Sequence, residues 1–414
     1  MVAAFYDQAA SIAADRDSAA RAGDRDPAGA SAAHSLAPYL AGARAAAFNP
    51  YDSWAQHFPE SPRREEIDIL VAGPGTAAVA MLAARMPRAR IVGVDTAATA
   101  VPREGALRGH AEPDRVSFCD LPLERIDELG ETFDVVHCHG VLHRLADPAA
   151  ALRALASVTR PDGVISAMVQ AQAGQGGAQL LRELLHRLGI AGDESGAATV
   201  AALLEHLPEG HPLVLAPWGE RPAPAAEDSN ASSAPRPRAY TVDEVRALVT
   251  DAGLVLHRWL GQAVYESALS PLADSLSSAG EWTRAAAMEL FHGCLTTHSF
   301  LLTHPTRATA AELFEGPSIA DAVPTLSPHI AAIVEGDTLA LHNRALQVPV
   351  YLRGPLSTLK PWLQAVDGRT SVGELASLRR NGVLDEAAAS DAQALFRSLY
   401  LADIIELSTR TAVA

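Results

Sequence analysis

The sequence predicts an α/β fold: a doubly wound, mostly parallel sheet followed by a mainly helical carboxyl-terminal region. Three observations carry this. Between Glu66 and Val169, short apolar runs alternate with stretches of helical length, a pattern that implies parallel strands covered by helices on both faces. The first run, Ile67 to Ala72, passes directly into a glycine turn that opens a helix. Beyond Leu272, Glu281 to Leu302 is long enough for a substantial helix.

Residues 1–48 are Ala-rich with spaced charges, and Asp26-Pro27 and Gly29 divide them into a leader of two short helices. After Ile67 to Ala72, an Ala-rich helix ends near Pro87 and a second strand runs from Ile91 to Val94. Val116 to Phe118 and Phe133 to Val136 supply the third and fourth strands. A helix from about Pro148 to Val158 stops at Arg160-Pro161-Asp162-Gly163, which launches a fifth strand, Val164 to Val169. Residues 217–238 are too polar and proline-rich to pack and read as a mobile linker. Thr241-Val242-Asp243-Glu244 fits a helix N-cap with acidic residues in its first turn, and Gly253 stops that helix. Leu254 to Leu260 then closes the first domain. The chain thus divides into a leader (1–48), an α/β domain (49–268), a helical region (269–338) and a small domain (339–414).

The 414 residues suit two to three domains and carry a net charge of −16. That balance argues against a nucleic-acid or anionic-membrane partner, because such binding needs clustered Lys and Arg, and Lys360 is the only lysine. Cys119, Cys138 and Cys294 are too scattered for a metal site or a disulfide framework. No uncharged run suffices for a membrane span, and Asp7, Asp15, Arg16 and Asp17 interrupt any secretory pattern. A cytoplasmic protein is expected.

Gly73, Gly75 and Ala78 satisfy a loose GxGxxA pattern, in which a backbone without Cβ turns sharply and approaches a ligand closely. The pattern alone leaves NAD and other nucleoside ligands open. Asp95 ends the second strand 22 residues after Gly73, where a carboxylate accepts hydrogen bonds from both ribose hydroxyls. Cys119-Asp120-Leu121, after the third strand, is placed to meet an adenine amino group and ring face.

In order, Val71-Ala72-Gly73-Pro74-Gly75-Thr76, Val92-Gly93-Val94-Asp95, Asp120, Phe133-Asp134-Val135-Val136, Gly140-Val141-Leu142-His143 and Arg160-Pro161-Asp162-Gly163 resemble the motifs of class I S-adenosylmethionine-dependent methyltransferases. They span about 100 residues. Asn49-Pro50-Tyr51-Asp52-Ser53-Trp54, with Gly140 to Pro148, is similar to a bacterial branch often described as tetratricopeptide-repeat methyltransferases, although this chain has no such repeats. Pro74 and Val169-Gln170-Ala171-Gln172 depart from the branch pattern; the second departure falls on the edge that faces the methyl group in that fold. The resemblance implies a seven-stranded Rossmann-like sheet that binds S-adenosyl-L-methionine. It assigns Gly73, Gly75 and Thr76 to the methionine end, Asp95 to the ribose, and Asp120 and Leu121 to the adenine. His137, Cys138 and His139, taken to follow the fourth strand, would flank the sulfonium. Tyr51 and Trp54 would either close over the cofactor or anchor the leader.

Methyl transfer from a sulfonium requires a positioned nucleophile and at most a base. His139 and His143, at the carboxyl edge of the fourth strand, are the candidate bases, because histidine titrates near neutrality. His292, His298 and His304 have spacing that forms no single ligand face and read as incidental. Ala365 to Leu375, with its Asp367-Gly368 turn and Ser/Thr-capped helix, resembles the winged-helix tails of methyltransferases with a regulatory domain, and more loosely PqqD-like leader-recognition modules. Phe300-Leu301-Leu302-Thr303-His304 fits the helical region that precedes such tails. The function expected is methyl transfer to an N or O nucleophile of a peptide or specialised metabolite, in a chain that can form a homodimer. The alternative is a noncatalytic S-adenosylmethionine-binding regulatory or partner protein.

Overall fold

The computed structural model describes residues 54–73, 76–95, 115–188, 203, 238–314, 316–379 and 386–410. The leader, Tyr51, Gly75 and the 217–237 stretch of the expected linker lie outside the described residues.

A one-turn helix α1 (Trp54–His57) precedes β1 (Asp68–Ala72), α2 (Thr76–Arg85), β2 (Arg90–Asp95), β3 (Val116–Asp120) and β4 (Phe133–His139). Then come α3 (Pro148–Ser157), β5 (Thr159–Gln170), α4 (Gly176–Arg187), α5 (Val242–Asp251), β6 (Val255–Trp259), α6 (Gln262–Tyr265), α7 (Glu281–His292) and β7 (Thr297–Thr303). The main sheet has the order β3-β2-β1-β4-β5-β7-β6. Its first five strands pair in parallel, and β7 runs antiparallel to both β5 and β6. This is the doubly wound, mostly parallel sheet expected from the sequence pattern, with the seven strands that the resemblance implies.

Local chemistry explains several boundaries. Asp147 caps α3 by accepting from the Ala150 amide at 2.8 Å. Thr241 and Glu244 form a reciprocal capping box at the start of α5. The expected helix from Glu281 to Leu302 is a correction: the helix stops at His292, where Gly293 takes φ 64°, and Thr297–Thr303 forms a strand. Gly293 adopts the left-handed conformation that satisfies a helix end, and the β-branched and aromatic residues that follow insert between β5 and β6. The α/β layer therefore extends beyond 268, and region 269–338 is not simply helical. β8 (Val323–Leu326) and β9 (Ile330–Glu335) also lie within it.

The small carboxyl-terminal part joins β9, β10 (Thr338–Asn343) and β11 (Leu352–Pro355) into an antiparallel sheet. α8 (Ala310–Phe314) precedes it, and α9 (Leu356–Ala365), α10 (Val372–Arg379) and α11 (Glu386–Leu401) pack on it; β12 (Ile405–Ser408) pairs with β8. Ser371 and Glu374 cap α10 as expected. Among the described residues, no helix is long and apolar enough to cross a membrane.

Arg160, expected as part of a turn, instead lies in β5 and bridges the amino edge of the sheet. Its guanidinium donates to Asp134 and Asp68, each at 2.5 Å, while the Asp68 amide donates to Asp134 at 2.9 Å and Arg90 Nε to Asp68 at 2.8 Å. Burial opposes ionisation of Asp68, yet the bonds from Arg90 and Arg160 hold its carboxyl below the usual range.

Candidate functional site

The strand order reverses between β1, which continues to β2, and its other neighbour β4. In such sheets ligands bind beyond the carboxyl ends of the strands at this switch point. Pairing Ala72 with Val94, Asp95 with Asp120 and Val71 with His137 brings the ends of four strands level. Gly73, Asp95, Asp120 and His139 thus share one edge. Thr76 opens α2 beside them.

Gly73 has φ 104°, and a Cβ there would lie 2.1 Å from Val141 Cγ2. Only glycine admits both the turn and the close approach of the segment after β4. Its amide donates to the Val94 carbonyl at 2.8 Å, which joins the turn to β2. Asp120 is exposed, and Leu121 beside it packs into the main apolar cluster. An exposed carboxylate next to an apolar side chain suits a ligand with a polar edge and a flat ring. Asp95 stands directly across from it on β2.

The structure revises how the β4 residues are arranged. His137, Cys138 and His139 belong to the strand and do not follow it. Alternation therefore sends Cys138 into the main apolar cluster, away from the two histidines. Burial pushes the Cys138 thiol up to about 12, so it is no nucleophile. The rings of His137 and His139 lie 4.0 Å apart between centroids. His139 Nε2 and the buried Ser166 Oγ share a hydrogen bond of 2.8 Å. Desolvation, followed by the nearby His137 and His57 rings, holds His139 well below its ordinary pKa. Burial lowers His137 to about 4.

His143 sits in a single 3-10 turn, 4% exposed, and burial lowers its pKa to about 4. Of the two candidate bases, His139 is the one at the strand end with part of its surface open. Trp54 is packed away: its ring lies 4.6 Å from that of Phe58, and its Nε1 donates to the Ser61 carbonyl at 2.9 Å.

Sequence reasoning missed Ser166, His57, His257 and Arg307. Arg307 donates to Glu60 at 2.6 Å, to the Gly163 carbonyl at 3.2 Å and to the His57 carbonyl at 2.5 Å, which fixes α1 against the sheet. No spacing signal marks these residues, since they meet only through tertiary contact. The three distal histidines, read as incidental, each make a structural bond. His298 joins Tyr265 at 2.8 Å and Glu289 at 3.2 Å in a buried network, His292 donates to the Val264 carbonyl and His304 to that of Thr159. Among the described residues, no group of His, Cys, Asp and Glu could hold a metal ion.

Comparison with known proteins agrees with this geometry. Residues 70–165 match the family model described as methyltransferase domain. A Synechococcus protein described as uncharacterized is 28% identical over 276 residues, covering 61% of this chain and 66% of that protein. A ubiquinone biosynthesis O-methyltransferase of Neisseria meningitidis is 32% identical over 101 residues, 23% of this chain and 41% of that enzyme. The chain thus spans less than two thirds of the length of either relative. The solved structure of PKMT2 from Rickettsia typhi in complex with AdoHcy superposes with a TM-score of 0.60 at 14% identity, covering 88% of this chain and 76% of that one. The fold is that of the Rossmann-like methyltransferases.

Proposed function

We propose that this protein is an S-adenosyl-L-methionine-dependent methyltransferase acting on an N or O nucleophile of a peptide or specialised metabolite. The observation that carries the reading is the alignment of Gly73, Asp95 and Asp120 along one sheet edge at the switch point, inside the segment that matches a methyltransferase domain. Gly73 and Thr76 would hold the methionine end, Asp95 the ribose hydroxyls, and Asp120 and Leu121 the adenine. When bound, the cofactor supplies an activated methyl group on sulfur. The related Neisseria enzyme, named as an O-methyltransferase, and the PKMT2 complex with AdoHcy support the cofactor and the reaction class.

The protein's part in catalysis is positioning and proton removal. His139, neutral near pH 7 because its surroundings disfavour the charged ring, is in the form that accepts a proton from a hydroxyl or ammonium acceptor. The acceptor enters over the carboxyl ends of β4 and β5, so that it approaches the methyl group in line.

Titration calorimetry with S-adenosylhomocysteine tests the cofactor assignment. Wild type should bind, and Asp95→Ala should weaken binding roughly 10- to 100-fold, on the order of 1.5 to 3 kcal/mol for a charged hydrogen-bonding partner. Equal affinity in the variant would remove Asp95 from the site. Binding without methylation of any acceptor would favour the regulatory alternative.

A further inference from the structure

We propose that Ser166 is the positioning residue for His139, fixing the tautomer in which Nε2 carries the hydrogen and Nδ1 is free to take the acceptor's proton. The inference rests on the methyltransferase reading above and deepens it. Ser166 lies within β5, fully buried and in register with His137 on β4. Its neighbours on that face of the sheet include Val135, Val164 and Leu301, all apolar. A hydroxyl in such a setting is costly unless hydrogen-bonded, and the bond it makes is the 2.8 Å contact with His139 Nε2.

The direction of that bond follows from what the ring must do. A serine oxygen can donate or accept. If it donated to Nε2, Nδ1 would carry the hydrogen and neither ring nitrogen could receive a proton without breaking the bond. If it accepts from Nε2, the same bond persists before and after Nδ1 gains a proton. As the acceptor atom bonds to the methyl carbon, the sulfur keeps the old bonding pair and the acceptor's proton passes to Nδ1; the imidazolium later releases it to water. The His137 ring, tilted by 30° with its centroid 4.0 Å from that of His139, packs against His139 and limits its rotation. Among the described residues, the titratable groups that act on His139 are His137 and His57, which with desolvation keep it neutral at rest. Ser166 acts on the acceptor through His139, as second-sphere partners orient reactive histidines elsewhere.

The test is nuclear magnetic resonance of the full chain labelled with ¹⁵N-histidine, saturated with S-adenosylhomocysteine. The ring-nitrogen shifts of His139 should report the Nε2–H tautomer in wild type. Ser166→Ala should give a mixed tautomer and a shifted titration midpoint, with S-adenosylhomocysteine affinity unchanged within about twofold, and Ser166→Thr, which retains a hydroxyl, should restore the wild-type pattern. An Nδ1–H tautomer in wild type would overturn the proposal, and that measurement stands even if the alanine variant does not fold. So would an unchanged tautomer and midpoint in Ser166→Ala. Failure of wild type to bind S-adenosylhomocysteine would instead sink the cofactor reading, a result separate from the tautomer.

Discussion

Among the described residues, burial favours the neutral state of several histidines, His292 included. His137 and His143 are lowered to about 4 and His257 to about 3, while His139 lies well below its ordinary value. In each case desolvation is the largest cause. Free imidazole titrates near 6.5, so between that pH and about 4 the unfolded chain binds more protons than the native one. Stability therefore rises with pH across this window and is lost on acidification. The urea midpoint should fall steadily from pH 7 to pH 4.5, and a flat profile would contradict the neutral-histidine account. The same shift places the acid limb of any His139-dependent methylation below pH 6.5, because the neutral, proton-accepting ring persists to lower pH. Gly73 makes a different demand. Alanine there meets both φ 104° and Val141 at 2.1 Å, so Gly73→Ala should cost on the order of 1 to 3 kcal/mol and weaken S-adenosylhomocysteine binding, as read by urea unfolding and calorimetry.

Among the elements, β7 shows where local pattern and tertiary context part. Glu281 to Leu302 contains a nearly continuous run compatible with helix, and Gly293 is the one residue that signals a stop. The strand that follows is stabilised by pairing on both sides, with β5 and β6, partners that a local window does not contain. Arg160 is the converse case. Its motif was legible, but its task is to tie β1 and β4 together at the amino edge through Asp68 and Asp134. Arg160→Ala should lower stability by about 1 to 2 kcal/mol, less than a fully buried charged bond would give. Arg160 is one-third exposed, and Arg64 still reaches Asp134 at 3.1 Å. Chemical denaturation would measure this; a neutral result would show that Arg64 compensates.

For the whole molecule, the junction between the α/β layer and the carboxyl-terminal part centres on Arg258 and Asp403. Both are 2% exposed. Arg258 on β6 pairs with Asp403, which also accepts from the Ala263 amide at 2.8 Å, and the guanidinium lies 4.4 Å over the Tyr400 ring. The Asp403 carbonyl accepts from Asn343 Nδ2 at 2.9 Å, which ties in β10. Asp403 has φ 56°, a left-handed conformation that aspartate tolerates better than most residues. Burial raises its pKa, opposed by Arg258. Removing one member of a buried pair leaves an uncompensated charge, so Arg258→Ala should destabilise the protein by about 3 to 5 kcal/mol. Limited proteolysis should then release the carboxyl-terminal part more readily; unchanged protease resistance would show that apolar packing alone holds the junction.

The sequence by itself determined the alternating strands and helices, the glycine turn, and the placement of Asp95 and Asp120 at strand ends. Each follows from period, turn chemistry and spacing within a short stretch of chain. It also marked His139, though as a residue beyond the strand and on a par with His143. Only the tertiary structure separated the two, by giving His139 a strand-end position and the Ser166 bond while enclosing His143. Ser166 lies 27 positions from His139, and Asp403 lies 145 from Arg258. Such pairs depend on strand order and on the docking of distant segments, which local hydrophobic pattern does not encode, and burial, which sets the histidine charges, exists only once the layers have closed.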